Sequence, residues 1–196
     1  YQPGFGTVLV GAPAEVQERY RTALFWRAAA QPFAVAVGLV LGALFGLFWL
    51  FRREQSVYGW YALSAWLFAL YGCNYIAGSP WPFTRTDGWQ ALVAALYLAA
   101  ASSFVLFLLR YCRVRRPWLE RTLGLASALA FAAALLLPQV AGPSRMPVVL
   151  LGGAVYYIGM VVFIVHAWRG RDSNARLLAA CLLLPTFYVN PRVGNA

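Results

Sequence analysis

The chain has 196 residues, of which 62% are hydrophobic and only 11% are charged. Soluble domains average about 45–50% and about 25%, so these proportions exclude an ordinary soluble domain and indicate a polytopic membrane protein. The net charge of +10 would also be compatible with nucleic-acid binding. The charged basic side chains are all arginines, however, and they lie between apolar runs. We interpret them as loop residues that orient a membrane protein, and we expect no nucleic-acid partner.

The first 31 residues precede the apolar runs. The segment FGTVLVG, residues 5–11, is typical of a short strand closed by a turn. Pro13 and Glu15 then predict the first turn of a helix. This helix is either an interfacial helix on the membrane surface or a rigid connector that joins an outside domain to the first span. The residues alone leave both alternatives open.

Two apolar runs, residues 32–51 and 57–77, follow this segment. Neither contains Asp, Glu, Lys, Arg or His, and the sequence between them includes Arg52, Arg53 and Glu54. Each run has the length of about 20 residues that an α-helix needs to cross about 30 Å of hydrocarbon. The pattern predicts a helical hairpin through a bilayer.

Four more apolar segments predict further spans: residues 89–109, about 122–139, 147–166 and 177–189. The last has only about 13 residues and contains Pro185, so it is too short to cross a bilayer unaided. We expect it to be truncated, distorted or interrupted by residues missing from this sequence. The predicted fold is therefore an all-α polytopic membrane bundle over residues 32–196, with about six spans visible and an incomplete C-terminus.

Arginine counts in alternate loops predict the orientation of these spans. The loops after the first, third and fifth spans contain ten arginines, whereas the opposite loops and the final tail contain three. The three arginines of the leading segment weaken this bias without reversing it. The ten are Arg52, Arg53, Arg110, Arg113, Arg115, Arg116, Arg121, Arg169, Arg171 and Arg176. The amino terminus is predicted to lie outside the cytoplasm.

The first span has a glycine at every fourth position: Gly38, Gly42 and Gly46. Glycine has no Cβ, so a neighbouring helix can approach closely along such a stripe. Glycine is also common in membrane helices generally, but three at a strict spacing favour close packing. We predict that this stripe is a helix-packing surface.

Asn74 and Tyr75, near the outer end of the second span, lie close in sequence to Trp81 and Trp89. A buried Asn in lipid needs a hydrogen-bond partner on another helix. One interpretation is an outward-facing ligand pocket rimmed by these four residues. The other is an interfacial aromatic belt, which accounts for the same tryptophans.

The spans contain no charged side chain at depth, and His166 lies at the inner end of the fifth span. Proton pumps and ion-coupled transporters need such groups, so the pattern argues against transport unless a missing segment supplies them. A channel or transporter subunit and a purely structural anchor remain the alternatives. The three cysteines lack metal-site spacing and are interpreted as buried, inert thiols. We expect no catalytic residues, metal site or cofactor in this sequence.

Two segments resemble a known family. GTVLVGAPAEVQERYRTALFW, residues 6–26, is similar to the end of an extracytoplasmic sensing domain that runs into a span. GLVLGALFGLFWLFRREQSVYGWYALSAWLFALY, residues 38–71, resembles the first hairpin of the bacterial seven-transmembrane receptors with diverse intracellular signalling modules. The shared features are a glycine-rich first helix, a short basic turn and the aromatic start Tyr58–Gly59–Trp60–Tyr61–Ala62 of the second helix.

The resemblance implies seven helices, a periplasmic amino terminus in the bacterial inner membrane, and a cytoplasmic output domain. That output is usually a histidine kinase of a two-component phosphorelay or a diguanylate cyclase. Residues 1–31 would then be the end of the sensing domain and a juxtamembrane connector. Because the sequence starts at Tyr1 without a Met or a signal-peptide pattern, we expect it to be part of a longer protein. The expected partners are membrane lipid, a second copy of the chain in a homodimer, and an unidentified extracytoplasmic ligand or protein.

Overall fold

A computed structural model describes residues 11–25, 29–76, 83, 85–114, 116–170 and 173–188. This part of the chain is helical and contains no strand, so the predicted all-α class is confirmed. The strand expected at residues 5–11 lies outside the described residues, except for a bend at Gly11. The eight α-helices of the described part are α1 Pro13–Phe25, α2 Gln31–Phe51, α3 Ser56–Gly72, α4 Thr86–Tyr111, α5 Pro117–Leu136, α6 Pro138–Ala141, α7 Arg145–Arg169 and α8 Ser173–Tyr188.

Prolines mark several of the helix starts. Pro13 begins α1, as predicted, and Pro117 and Pro138 occupy the first turns of α5 and α6. The missing N–H of proline is harmless there, because the first N–H groups of a helix have no intrahelical acceptor. In contrast, Pro185 lies inside α8, which continues to Tyr188.

Four helices of the described part, α2, α4, α5 and α7, are long and apolar enough to cross a membrane, judged by length and composition. The other two predicted spans correspond to shorter helices. α3 has 17 residues and is extended by a 3₁₀ turn, Cys73–Tyr75, whereas α8 has 16. The described residues of all six apolar segments are therefore mainly helical, and six complete crossings remain a prediction.

Helix α4 is the centre of the bundle. It packs against α3, α5, α6 and α7, while α2 packs on α3 and α8 packs on α7. In the most apolar stretch of α4, 67% of the residues are buried, compared with 11–17% in α2, α5 and α7. The peripheral helices therefore turn most of their large apolar side chains outward, as a membrane domain surrounded by lipid does.

Small residues allow the close packing around α4. Its buried face includes a run of alanines and serines from Ala99 to Ser103. Gly152 and Gly159 of α7 lie against this helix: a Cβ at position 152 would be 2.9 Å from Cδ1 of Tyr97, and one at 159 would overlap Val105. The α4–α7 contact is thus built on glycines opposite small or slender side chains.

At the other end of α4, the chain turns into α5 through a Schellman motif. The N–H of Val114 donates to the carbonyl of Leu109 (2.9 Å), and the N–H of Arg113 donates to that of Arg110 (3.0 Å). Arg113 has a φ of 59°, a left-handed conformation that this motif normally assigns to glycine. Arg110 also forms a 2.6 Å ion pair with Glu120 in the first turn of α5.

Candidate functional site

The three glycines of α2 lie against one face of α3. A Cβ at position 38 would be 3.4 Å from Cβ of Ala69, and one at position 46 would be 3.5 Å from the indole of Trp66. At position 42 an added Cβ would overlap Cδ1 and Nε1 of Trp66. The glycine stripe therefore provides the room in which α3 and its indole lie against α2.

The same hairpin has a reciprocal contact nearer its turn. A Cβ at Gly59 of α3 would be 3.0 Å from Cδ1 of Trp49 of α2. Each helix thus places a tryptophan over a glycine of the other. The functional importance of the stripe remains a prediction. Its geometry shows that a single methyl group added at Gly42 would not fit between α2 and α3 without a shift of Trp66.

The structure describes three of the four residues of the predicted outer pocket: Asn74, Tyr75 and Trp89. Nε1 of Trp89, at the start of α4, donates a 2.7 Å hydrogen bond to Oδ1 of Asn74, in the 3₁₀ turn after α3. This bond supplies the Asn with an interhelical partner and links the two helices at that end. Trp81 lies outside the described residues. Tyr75 is 58% exposed and lines a different cavity, so ligand binding by the set of four remains a prediction.

That cavity, called here the α3 crevice, has a volume of about 450 Å³. Its wall is formed mainly by α3, from Tyr61 to Tyr75, and by the first part of α2, from Gln31 to Gly38. Single residues of three further helices complete it: Phe104 of α4, Tyr156 of α7 and Leu182 of α8. The crevice is therefore the place where most of the bundle meets.

Stacked and edge-on aromatic rings form the deep wall of the α3 crevice. The rings of Phe104 and Tyr156 stack with centroids 5.3 Å apart, and Phe68 is 6.4 Å from both. At the far end, the ring of Tyr61 lies between Phe45 of α2 (4.4 Å) and Phe107 of α4 (5.3 Å). These contacts connect the crevice to both the α2–α3 and the α3–α4 interfaces.

Titratable and thiol groups elsewhere offer little chemistry in the described part of the chain. Its His, Cys, Asp and Glu residues form no group of three that could hold a metal ion. Cys73 and Cys112 are half-buried, but Cys181 is exposed, so the interpretation of three buried thiols is wrong for Cys181.

The α3 crevice as a whole was not predicted from the sequence: of its lining residues, Tyr75 was assigned to the outer pocket and Gly38 to the packing stripe. Crevice-lining residues of α3 recur at helical spacing, including Tyr61, Ser64, Phe68 and Tyr71, and Ser64 and the tyrosine hydroxyls are a weak signal within an apolar run. Their convergence with α7 and α8 depends on tertiary packing, which spacing along one helix does not reveal.

The geometry is that of a compact apolar bundle with lipid-facing outer surfaces and a central small-residue helix. A family model described as 7TM diverse intracellular signalling matches residues 27–190. The chain belongs to this family. The match confirms the resemblance identified in the first hairpin and extends it across all the predicted spans. No curated protein and no solved structure matches the chain.

Membership in the 7TM diverse intracellular signalling family identifies the bundle as a membrane sensor module coupled to intracellular signalling.

Proposed function

We propose that the chain is the transmembrane part of a bacterial receptor that couples an extracytoplasmic signal to a cytoplasmic output enzyme. The family match over residues 27–190 carries this proposal. The first expected output is a two-component sensor histidine kinase, and a diguanylate cyclase is the alternative. The signal is a ligand or partner protein bound outside the cytoplasm.

The proposed topology places the domain in the inner membrane with its amino terminus in the periplasm and seven crossings in the whole protein. The ten-to-three arginine bias supports this orientation. The end where α2 begins, α3 ends and α4 begins then faces the periplasm. The Arg110–Glu120 ion pair and the Arg52–Arg53 turn face the cytoplasm.

The proposed mechanism is a change between two helix packings within a homodimer. Helix α1 precedes α2 in the chain with only residues 26–30 between them, so a displacement of the sensing domain would act on α2 first. Because the indole of Trp66 of α3 lies against the glycine stripe of α2, a displacement of α2 would act directly on this side chain of α3. α3 in turn packs on the central α4, which leads into the Arg110–Glu120 turn.

The topology is tested with reporter fusions in the full-length receptor. Alkaline phosphatase, active only in the periplasm, should be active when fused after Asp87 and inactive when fused after Arg116. The opposite pattern would place the leading segment in the cytoplasm and remove the sensor function.

The output is tested with the purified full-length receptor in nanodiscs. Incubation with radiolabelled ATP should phosphorylate a histidine of the cytoplasmic domain. Formation of a cyclic dinucleotide from GTP would instead establish the diguanylate cyclase alternative. Neither activity, in a preparation whose cytoplasmic domain is folded by circular dichroism, would reject both outputs.

A further inference from the structure

The α3 crevice is a built cavity that the proposed function does not require. Five helices line it, and its volume of about 450 Å³ falls within the range of small-molecule sites, about 300–1,000 Å³. At one end of the lining Ala34 and Tyr75 are exposed, and this end is called the mouth. At the other end the ring of Tyr61 lies between those of Phe45 and Phe107.

The crevice is long. Its lining residues on α3 and the 3₁₀ turn extend from Tyr61 to Tyr75, which corresponds to about 21 Å at 1.5 Å per residue. They lie on one face, because they recur three or four positions apart. A site with this shape suits an extended molecule that lies along α3.

The polar groups of the lining are uncharged along its whole length. Gln31, Tyr71 and Tyr75 place an amide and two hydroxyl groups near the mouth. Further in, the rings of Phe68 and Phe104 lie among Tyr61, Ser64 and Tyr156, and the hydroxyl of Ser64 already donates to the carbonyl of Tyr61 (2.8 Å). None of the fifteen lining residues is charged. A charged group would therefore enter a low-dielectric cavity without a counter-ion, which is strongly unfavourable.

From this arrangement we infer that the α3 crevice binds an uncharged, single-chain amphiphile. Its hydrocarbon chain lies along α3 and contacts Phe68, Phe104 and Leu182, and its neutral head, a hydroxyl, ester or amide, lies at the mouth near Gln31 and Tyr75. Binding itself is independent of the output enzyme. Only an effect of the amphiphile on signalling would rest on the proposed function.

The test is photolabelling of the full chain in nanodiscs, with a long-chain monoacylglycerol that carries a diazirine near the end of its chain. Mass spectrometry should find the label on crevice residues of α3, α4 and α8. Labelling spread over the outward-facing side chains of α2 and α5, without enrichment in the crevice, would overturn the inference. No output activity enters this measurement, so its failure is distinct from failure of the receptor function.

A matched pair of variants on α2 adds a control. Ala34 lines the crevice, and Ala36, two positions along the same helix, does not; both are exposed. Ala34→Leu fills the mouth and should lower labelling of the crevice about tenfold, which corresponds to a loss of about 1.4 kcal/mol. Ala36→Leu should leave labelling unchanged. Equal labelling of both variants would overturn the inference. If Ala34→Leu does not fold, the positions labelled in the unsubstituted chain provide the test instead.

Competition tests the requirement for a neutral head. A fatty alcohol should displace the photolabel at lower concentration than the fatty acid of equal chain length, measured above the pH at which its carboxyl ionises. Equal or stronger competition by the ionised acid would contradict the proposed chemistry.

Discussion

Gly42 of α2 and Trp66 of α3 are so close that a Cβ on the glycine would overlap the pyrrole edge of the indole. The indole is 42% exposed, so it could yield to a larger side chain only by rotating outward and losing its contact with α2. The α2–α3 interface is consequently held at a distance that glycine alone permits.

The first prediction is that Gly42→Leu destabilises the bundle by about 1–3 kcal/mol, the usual cost of overpacking. Unfolding by SDS in mixed micelles measures this free energy. In the full-length receptor, a shift of this size should fix the output on or off, because two signalling states separated by a few kcal/mol are strongly biased by it.

The matched control is Gly124→Leu in α5, where an added Cβ meets nothing within 4 Å. It should not lower stability, since leucine is the better helix former, and it should leave the output unchanged. Gly59 does not serve as a control, because Trp49 lies over it. If Gly42→Leu behaves as Gly124→Leu does, the glycine stripe has no role in packing or signalling. Conversely, Trp66→Ala should remove most of the cost of Gly42→Leu.

The second prediction concerns the hydrogen bond from Trp89 to Asn74. Trp89→Phe keeps an aromatic ring but removes the donor, so Oδ1 of Asn74 loses this partner in a half-buried position. Interhelical bonds in membranes contribute about 0.6 kcal/mol on average and about 1.7 at most, and the loss should fall in that range. The same micelle titration measures it, with Trp168→Phe as control because Trp168 is 58% exposed on α7. Equal stability of the two variants would show that the bond contributes nothing.

The third prediction compares two ion pairs. The side chains of Arg110 and Glu120 are 15% and 26% exposed, whereas those of Arg19 and Glu15 are 64% and 65% exposed. Glu120→Gln should cost about 1–2 kcal/mol, because it leaves a largely buried guanidinium without its counter-ion. Glu15→Gln should cost less than about 0.5 kcal/mol, as exposed pairs do. A larger loss from Glu15→Gln than from Glu120→Gln would contradict the burial argument.

The fourth prediction is a gain of stability. Arg113→Gly relieves a left-handed backbone conformation that costs L-residues about 1–2 kcal/mol, and part of the gain is offset because glycine is more flexible in the unfolded chain. We expect a net gain of about 0.5–1 kcal/mol in thermal or SDS unfolding. Arg116→Gly, at a φ of −125°, should give no gain. A loss at both positions would indicate that the arginine side chain, not the backbone, dominates at 113.

The positions of the helices could be predicted from the sequence because lipid imposes a length and a composition on each span. The hydropathy pattern locates the part of each helix that crosses the hydrocarbon. The helix itself can extend beyond that part, to the residues that cap its ends. The fourth segment was predicted to begin at about residue 122, but α5 begins at Pro117. The charged residues Glu120 and Arg121 are excluded from an apolar run, yet both lie in α5, and an acidic residue such as Glu120 is favourable in the first turn of a helix.

The arrangement of the helices could not be predicted in the same way. In a soluble protein an apolar stripe identifies the buried face, but lipid-facing and core-facing positions here are equally apolar. Only small residues distinguish them, as the run from Ala99 to Ser103 in α4 does. The glycine stripe of α2 predicted a packing face but not which helix packs on it. The α3 crevice could not be predicted, because it depends on where Tyr156 and Leu182 lie relative to α3.

The central position of α4 has a consequence for biosynthesis. The surface of α4 that contacts Gly152 and Gly159 is synthesised before α7. Val105 precedes its neighbour Gly159 by more than fifty residues, so α4 leaves the ribosome while α7 is still inside it or not yet translated. Until α7 inserts, Tyr97, Leu98 and Val105 must contact lipid, the translocon or an insertion chaperone. The α2–α3 hairpin and α4 can associate early through local contacts, whereas completion of the bundle waits for a distant segment. Chains that stall before Arg145 should therefore be selective targets of membrane quality-control proteases.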